Sequence, residues 1–204
     1  MYSKILFPSS IFTVVLTSLL LSACSSFATP GIPATVPATS AQSAVPTVVP
    51  TPSRPDWFAI PLTDARTGET FTINDFAGKV VLIQTIAQWC TNCAYQQDEV
   101  RTLSKLLDNP DGLVSISLDV DAHEDQASLK SLKKYVDYFG FDWHFAIAPL
   151  EVDRALGNLY SAEYLNPPLE PMLFIDRSGN VYGLPYGMKT AQQLKNTLAP
   201  YLSQ

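Results

Sequence analysis

The chain has 204 residues, a formal charge of −6, three cysteines and a mean hydropathy of +0.09. The acidic balance argues against a nucleic-acid partner, which selects a basic face. Two histidines exclude a His-rich metal site, and three cysteines are too few for a dense disulfide framework.

Lys4 gives the N-terminus a positive start, and an apolar run from Ile11 to Leu21 follows, broken by Thr13, Thr17 and Ser18. Small residues Ser22 and Ala23 then precede Cys24. This is the outline of a secretory signal, and it is short of the ~20 apolar residues that span a bilayer. Its end, Leu21-Ser22-Ala23-Cys24, resembles the bacterial lipobox. The resemblance implies cleavage before Cys24, lipidation of its sulfur, and residues 1–23 as a lipoprotein signal peptide. Two or three acyl chains hold a protein on a membrane where one does not. The expected location is the extracytoplasmic face of the cell membrane.

Residues 25–55 contain seven prolines (30, 33, 37, 46, 50, 52 and 55), and Arg54 is their only charge. The prolines forbid an uninterrupted helix and no period is visible. Residues 24–55 are therefore expected to be a lipidated N-terminus and disordered tether. Such a tether reaches about 30 Å as a coil and about 95 Å when fully extended. Residues 56–204 suffice for one core. Lys4 and Arg54 are the only charges before residue 56, so this domain carries 11 basic and 19 acidic side chains, a formal −8.

Within the domain, 58–62 and 69–72 are predicted to pair as an N-terminal hairpin turning before Gly68. Val80–Ile86, after Gly78-Lys79, is a short apolar and β-branched run suited to a strand buried on both faces. Cys93–Leu107 reads as a helix, with Val100, Leu103, Leu106 and Leu107 at helical spacing and Asn109-Pro110 as its stop. Leu113–Leu118 reads as a second buried strand. Asp125–Phe139 is an amphipathic helix ended by Gly140, and Glu151–Tyr160 is a short helix. Met172–Ile175 and Val181–Leu184 form a hairpin across 176–180, and Thr190–Leu202 is a closing helix. The fold class is α/β: a central mixed sheet flanked by helices, with an N-terminal hairpin.

The chemistry lies in Trp89-Cys90-Thr91-Asn92-Cys93, a C-x-x-C where a buried strand ends and a helix begins. Thiol–disulfide exchange needs a thiolate. A helix N-terminus offers unpaired N–H groups and a positive dipole end, both of which favour one. Cys90, at the helix mouth, is the expected nucleophile and the more exposed of the pair. Cys93, one turn inside, resolves the mixed disulfide. Trp89 is expected to shield the pair and shape the surface that partners meet. A structural disulfide and half a zinc site are the competing readings. Zinc needs two further ligands, and neither another domain cysteine nor a ligand-spaced pair from His123 and His144 supplies them. No cofactor and no metal are expected.

From Gly78-Lys79-Val80-Val81-Leu82-Ile83 to Trp89-Cys90-Thr91-Asn92-Cys93 the domain is similar to the thioredoxin superfamily. It looks most like the exported TlpA/ResA-type, redoxin-group thiol–disulfide oxidoreductases. The hairpin block 67–79 matches as well, and Pro171-Met172-Leu173-Phe174-Ile175-Asp176 resembles the family's cis-proline strand. The resemblance covers nearly all of 56–204 and implies a thioredoxin-like fold. It also implies a cis-Pro171 packed on the cysteine pair, and a Glu170 backbone that pairs with the substrate chain. Protein thiols and disulfides are the implied partners, and a reductase outside the cytoplasm needs a membrane electron donor. Reduction of cytochrome c haem-site cysteines is the analogy the family offers.

The sequence departs from the pattern at several places. Gln84 stands where thioredoxins carry a buried carboxylate, so water or another group, with Glu163 and Glu170 as candidates, must move the proton of Cys93. Gln96 replaces a frequent acid, and Asp98 replaces a helix-kinking proline. Two other functions compete. Sco-type copper chaperones share the fold but use C-x-x-x-C plus a distal histidine, for which only His123 or His144 is available. Peroxiredoxins need a Thr where Ala87 stands and a Pro further upstream, and none occurs between Pro61 and Cys90.

Overall fold

The sheet is built around Val80–Ile86 (β4), whose seven residues are all buried. In the computed structural model, residues 47–48, 54–121 and 126–203 are described; for 47–48 and 126–128 only the backbone is. They fall within one compact unit, 41–204. The other strands are β1 (Thr47–Val48), β2 (Leu62–Thr63), β3 (Thr70–Phe71), β5 (Leu113–Asp119), β6 (His144–Ile147), β7 (Met172–Ile175) and β8 (Val181–Gly183). The helices are α1 (Thr91–Leu106), α2 (Gln126–Phe139), α3 (Leu150–Leu159) and α4 (Ala191–Leu202).

The six-stranded sheet has the order β1-β8-β7-β4-β5-β6. Strands β4, β5 and β6 run parallel, while β7, β8 and β1 join by antiparallel pairs. Strands β2 and β3 form the separate N-terminal hairpin, shorter than the sequence suggests. The alternation of β4 divides the core. Val81 and Ile83 pack with Ile116, Leu118 and the α3 residues Val152 and Leu156. Val80 and Leu82 pack on the other face with Val100 and Leu103 of α1 and Leu194 and Leu198 of α4. A strand covered on both faces has no use for polar alternation, which explains its continuous apolar run.

The expected helices form with small shifts at their ends. Leu106 is exposed, so the apolar face of α1 rests on Val100 and Leu103. Thr190 caps α4: its hydroxyl accepts from the Gln193 N–H, and Gln193 Oε1 accepts from the Thr190 N–H. Such a box is worth about 1 kcal/mol. Two differences stand out. Strand β6, parallel to β5, was not expected from the sequence. Thr47 and Val48, inside the stretch expected to be a tether, pair with Gly183 and Tyr182 at the sheet edge. The signal segment, Cys24 and His123 lie outside the described residues. Among the described residues no helix is long and apolar enough to cross a membrane.

Candidate active site

The turn Ala87-Gln88-Trp89 carries the chain from β4 into α1 and is closed by the Cys90 N–H donating to Ala87 O at 3.0 Å. Cys90 is the N-cap of α1, and its sulfur accepts the Cys93 N–H at 3.2 Å. Cys90 and Cys93 are joined as a disulfide with Cα atoms 5.2 Å apart. No acidic side chain occupies the first turn of α1, so its positive end is unopposed there. Cys90 therefore stands at the mouth of the helix, the position the sequence suggests. The exposure is lower than expected: Cys90 is 3% and Cys93 0% exposed, both enclosed by residues that include Leu132 and Val136 of α2.

The sulfur of Cys93 lies 3.4 Å from the Pro167 carbonyl oxygen. In the disulfide this is a contact only. In the dithiol form, the Cys93 S–H has an acceptor in place. The two sulfurs therefore see opposite environments, with a donor on Cys90 and an acceptor on Cys93.

The segment 167–171 departs from what the family resemblance implies. No cis peptide bond occurs among the described residues, so Pro171 is trans. The turn into β7 is made instead by Glu170, in the left-handed region at φ 50° and ψ 51°. Both backbone groups of Glu170 are engaged inside the protein. Its N–H donates to Pro167 O at 2.8 Å and its carbonyl accepts from Lys189 Nζ at 2.9 Å. The N–H is thereby committed, while the carbonyl oxygen keeps a second lone pair. Pro171 keeps its place beside β4 by accepting the Thr85 N–H at 3.3 Å. Trp89 is 64% exposed, and its indole N–H donates to the Asp121 carboxylate, which holds the ring at the surface next to the mouth of α1.

Gln84 is buried, and its Nε2 donates to the Cys93 carbonyl at 3.4 Å. Of the two acids considered as proton carriers, Glu163 is exposed and Glu170 buried. Sequence reasoning missed another buried acid. Asp119, at the end of β5, is buried and accepts from Gln88 Nε2 at 2.8 Å, and Gln88 Oε1 accepts from Ser131 at 2.6 Å. Burial pushes the Asp119 carboxyl above its ordinary range, against the hydrogen bonds from Gln88 and the Asp121 N–H. Tyr135 of α2 donates to Gln97 of α1 at 2.6 Å, and burial raises its phenol, with the Asp119 and Asp98 charges adding to the effect. Lys189 was missed as well. Burial lowers its ammonium to about 8, against the pull of the Glu170 charge. An aspartate closing a strand and a lysine before a helix cap were the only signals for these residues.

His144 opens β6 with Nδ1 2.9 Å from Asp64 Oδ2, and its ring packs against Phe71 and Phe76. That engagement occupies its Nδ1. Among the described residues no group of three or more His, Cys, Asp or Glu is placed to hold a metal ion.

A family profile described as Redoxin matches residues 36–198. No curated protein sequence matches the chain. Among solved structures, a thiol:disulfide interchange protein of the thioredoxin family from Chlorobium tepidum is 21% identical at a TM-score of 0.55, covering 78% of this chain and 98% of its own. A secreted disulfide oxidoreductase of Mycobacterium tuberculosis, described as homologous to E. coli DsbE, is 12% identical at a TM-score of 0.54, covering 72% of this chain and 99% of its own. BsSco, of the Sco family of cytochrome c oxidase assembly proteins, is 16% identical at a TM-score of 0.56, covering 71% of this chain and 91% of its own. At these identities the likeness is one of fold.

Proposed function

The chain belongs to the Redoxin family and is a thiol–disulfide oxidoreductase; we propose that it reduces protein disulfides from the outer face of a membrane, with Cys90 as nucleophile and Cys93 as resolving cysteine. The Cys90 thiolate attacks one sulfur of a substrate disulfide. A mixed disulfide forms and one substrate thiolate leaves. The Cys93 thiolate then attacks Cys90 Sγ, the Cys90–Cys93 disulfide forms, and the second substrate thiolate leaves. The substrate gains two electrons and the enzyme loses two, so a membrane dithiol donor must restore the pair. The observation that carries this division of roles is the Cys93 N–H on Cys90 Sγ at 3.2 Å, at the unopposed N-terminus of α1.

The test is substrate trapping. The Cys93→Ser chain should accumulate mixed disulfides through Cys90, identified by non-reducing mass spectrometry, and the Cys90→Ser chain should accumulate none. Failure to trap, together with wild-type protein that does not cycle between dithiol and disulfide, sinks the reading. The trapped partner also tests the finer proposal, that oxidised haem-site cysteines of apocytochrome c are the substrate.

Anchoring rests on Leu21-Ser22-Ala23-Cys24. We infer a mature chain that begins at lipidated Cys24 and continues through a Pro-rich tether to the catalytic domain. The mass of the mature N-terminus checks this: a diacylglyceryl group on Cys24 supports it, and an intact or unlipidated N-terminus overturns it. A Sco-like copper role is less favoured, because the pair is spaced C-x-x-C and His144 is held by Asp64.

A further inference from the structure

A single buried ammonium ties together the chain behind the cysteine pair. Lys189 lies between β8 and α4 and is 8% exposed. An ammonium has three hydrogens. Three backbone carbonyls receive them: Glu170 at 2.9 Å, Pro185 at 3.0 Å, and Gly187. The backbone of Lys189 is clasped in turn by Gln96 of α1. Gln96 Nε2 donates to the Lys189 carbonyl at 2.9 Å, and Gln96 Oε1 accepts the Lys189 N–H at 2.7 Å. Gln96 follows Cys93 by one helical turn, so the clasp joins the cysteine helix directly to the lysine.

The contacts continue to sulfur. The Glu170 carbonyl is held by Lys189, its N–H donates to the Pro167 carbonyl, and that oxygen lies 3.4 Å from Cys93 Sγ. An apolar side chain in place of Lys189 would avoid the cost of burying a charge. It would also leave three carbonyls without their donor. The Pro167 oxygen acts on only one redox state, because a disulfide sulfur has no hydrogen to give and a thiol does. The acceptor therefore favours the dithiol and keeps the proton on Cys93, leaving Cys90 to ionise.

We propose that Lys189 is a positioning residue of the redox centre: by holding the Glu170 carbonyl and the 185–187 loop, it keeps the Pro167 carbonyl against Cys93 and so sets the balance between dithiol and disulfide. This rests on the exchange reading of Cys90 and Cys93 above.

The test equilibrates the full chain with glutathione. Each disulfide takes two electrons and two protons from two glutathione thiols, giving one dithiol and one glutathione disulfide. Lys189→Met should move the equilibrium constant toward the protein disulfide by about threefold to tenfold, the size of one hydrogen bond lost from the reduced state. The thiolate absorbance of Cys90 should also appear at higher pH. Lys189→Arg, which keeps charge and donors, should bring the constant back toward wild type. A lysine with a merely structural role would lower the melting temperature and leave the constant in place. A folded Lys189→Met chain with the wild-type constant therefore overturns the proposal. Where that variant does not fold, Gln96→Ala loosens the same clasp. A smaller shift of the same sign supports the proposal, and an unchanged constant overturns it. Wild-type chain that never equilibrates with glutathione overturns the exchange reading itself, an outcome distinct from an inert Lys189.

Discussion

Gln84 donates to the Cys93 carbonyl at 3.4 Å while its own Oε1, buried, has no hydrogen-bond partner. An amide there fixes the backbone of the resolving cysteine but cannot take its proton. Gln84→Glu places a titratable group behind Cys93. Burial will hold that carboxyl above the ordinary glutamate range. Resolution of the mixed disulfide should then accelerate, by about tenfold at least, as a general base comes within reach of the thiol. It should also gain a pH limb that wild type lacks. Rapid-quench measurement of mixed-disulfide decay against pH checks both. An unchanged rate and profile means that Gln84 does not face the proton in transit.

Asp119 gives a stability prediction with a definite sign. Its carboxyl titrates above the ordinary range because it is buried. A carboxyl with a raised folded pKa favours the fold in its protonated form. It weakens the fold as pH climbs from the unfolded value of about 3.9 through the folded value. Asp119→Asn removes that loss. The melting temperature of the variant relative to wild type should rise between about pH 4 and pH 7. A difference that is flat or falls over this range would contradict the account.

Asp64 has the opposite sign. Burial raises its carboxyl, but the hydrogen bond to His144, the Arg66 N–H and the His144 and Arg66 charges together hold it below the ordinary range. That stabilisation is present above the unfolded value and is lost as pH falls through the folded one. Asp64→Asn should cost about 1–3 kcal/mol at neutral pH, and the variant should lose less stability on acidification than wild type does. Denaturant titrations at neutral and acid pH decide this.

Trp89 separates partner capture from chemistry. It is largely exposed, so Trp89→Ala should change stability by less than about 0.5 kcal/mol. An aromatic surface beside a reactive sulfur supplies contact area to a macromolecule. The variant should lose about thirtyfold in kcat/KM toward a protein disulfide, the loss expected of an interface hot spot. Its rate with a small disulfide should change little. Equal losses on both substrates would place Trp89 in the chemistry instead.

What the sequence made legible, and what it did not, follows from the range of the interactions involved. β4 could be read because seven consecutive buried residues leave a continuous signature. Cys90 as helix cap could be read because strand, turn and helix are contiguous. β6 was missed because four residues, His144–Ile147, carry no period and no flanking turn cluster. The Gln96–Lys189 clasp spans 93 positions and the Gln88–Asp119 bond 31, and no local pattern announces either. Pro171 shows the limit of resemblance. The motif before β7 is familiar, yet Glu170 turns the chain by its own left-handed conformation and Pro171 stays trans.

Strand β1 is two residues long, but it changes where the domain ends. Thr47 and Val48 occupy the outer hydrogen-bonding edge of β8. A chain trimmed to begin at residue 56 would uncover that edge, and open strand edges recruit other chains. Self-association of such a fragment would then reflect the missing cover rather than a native oligomer. Fragments intended for solution work should therefore start upstream of Thr47.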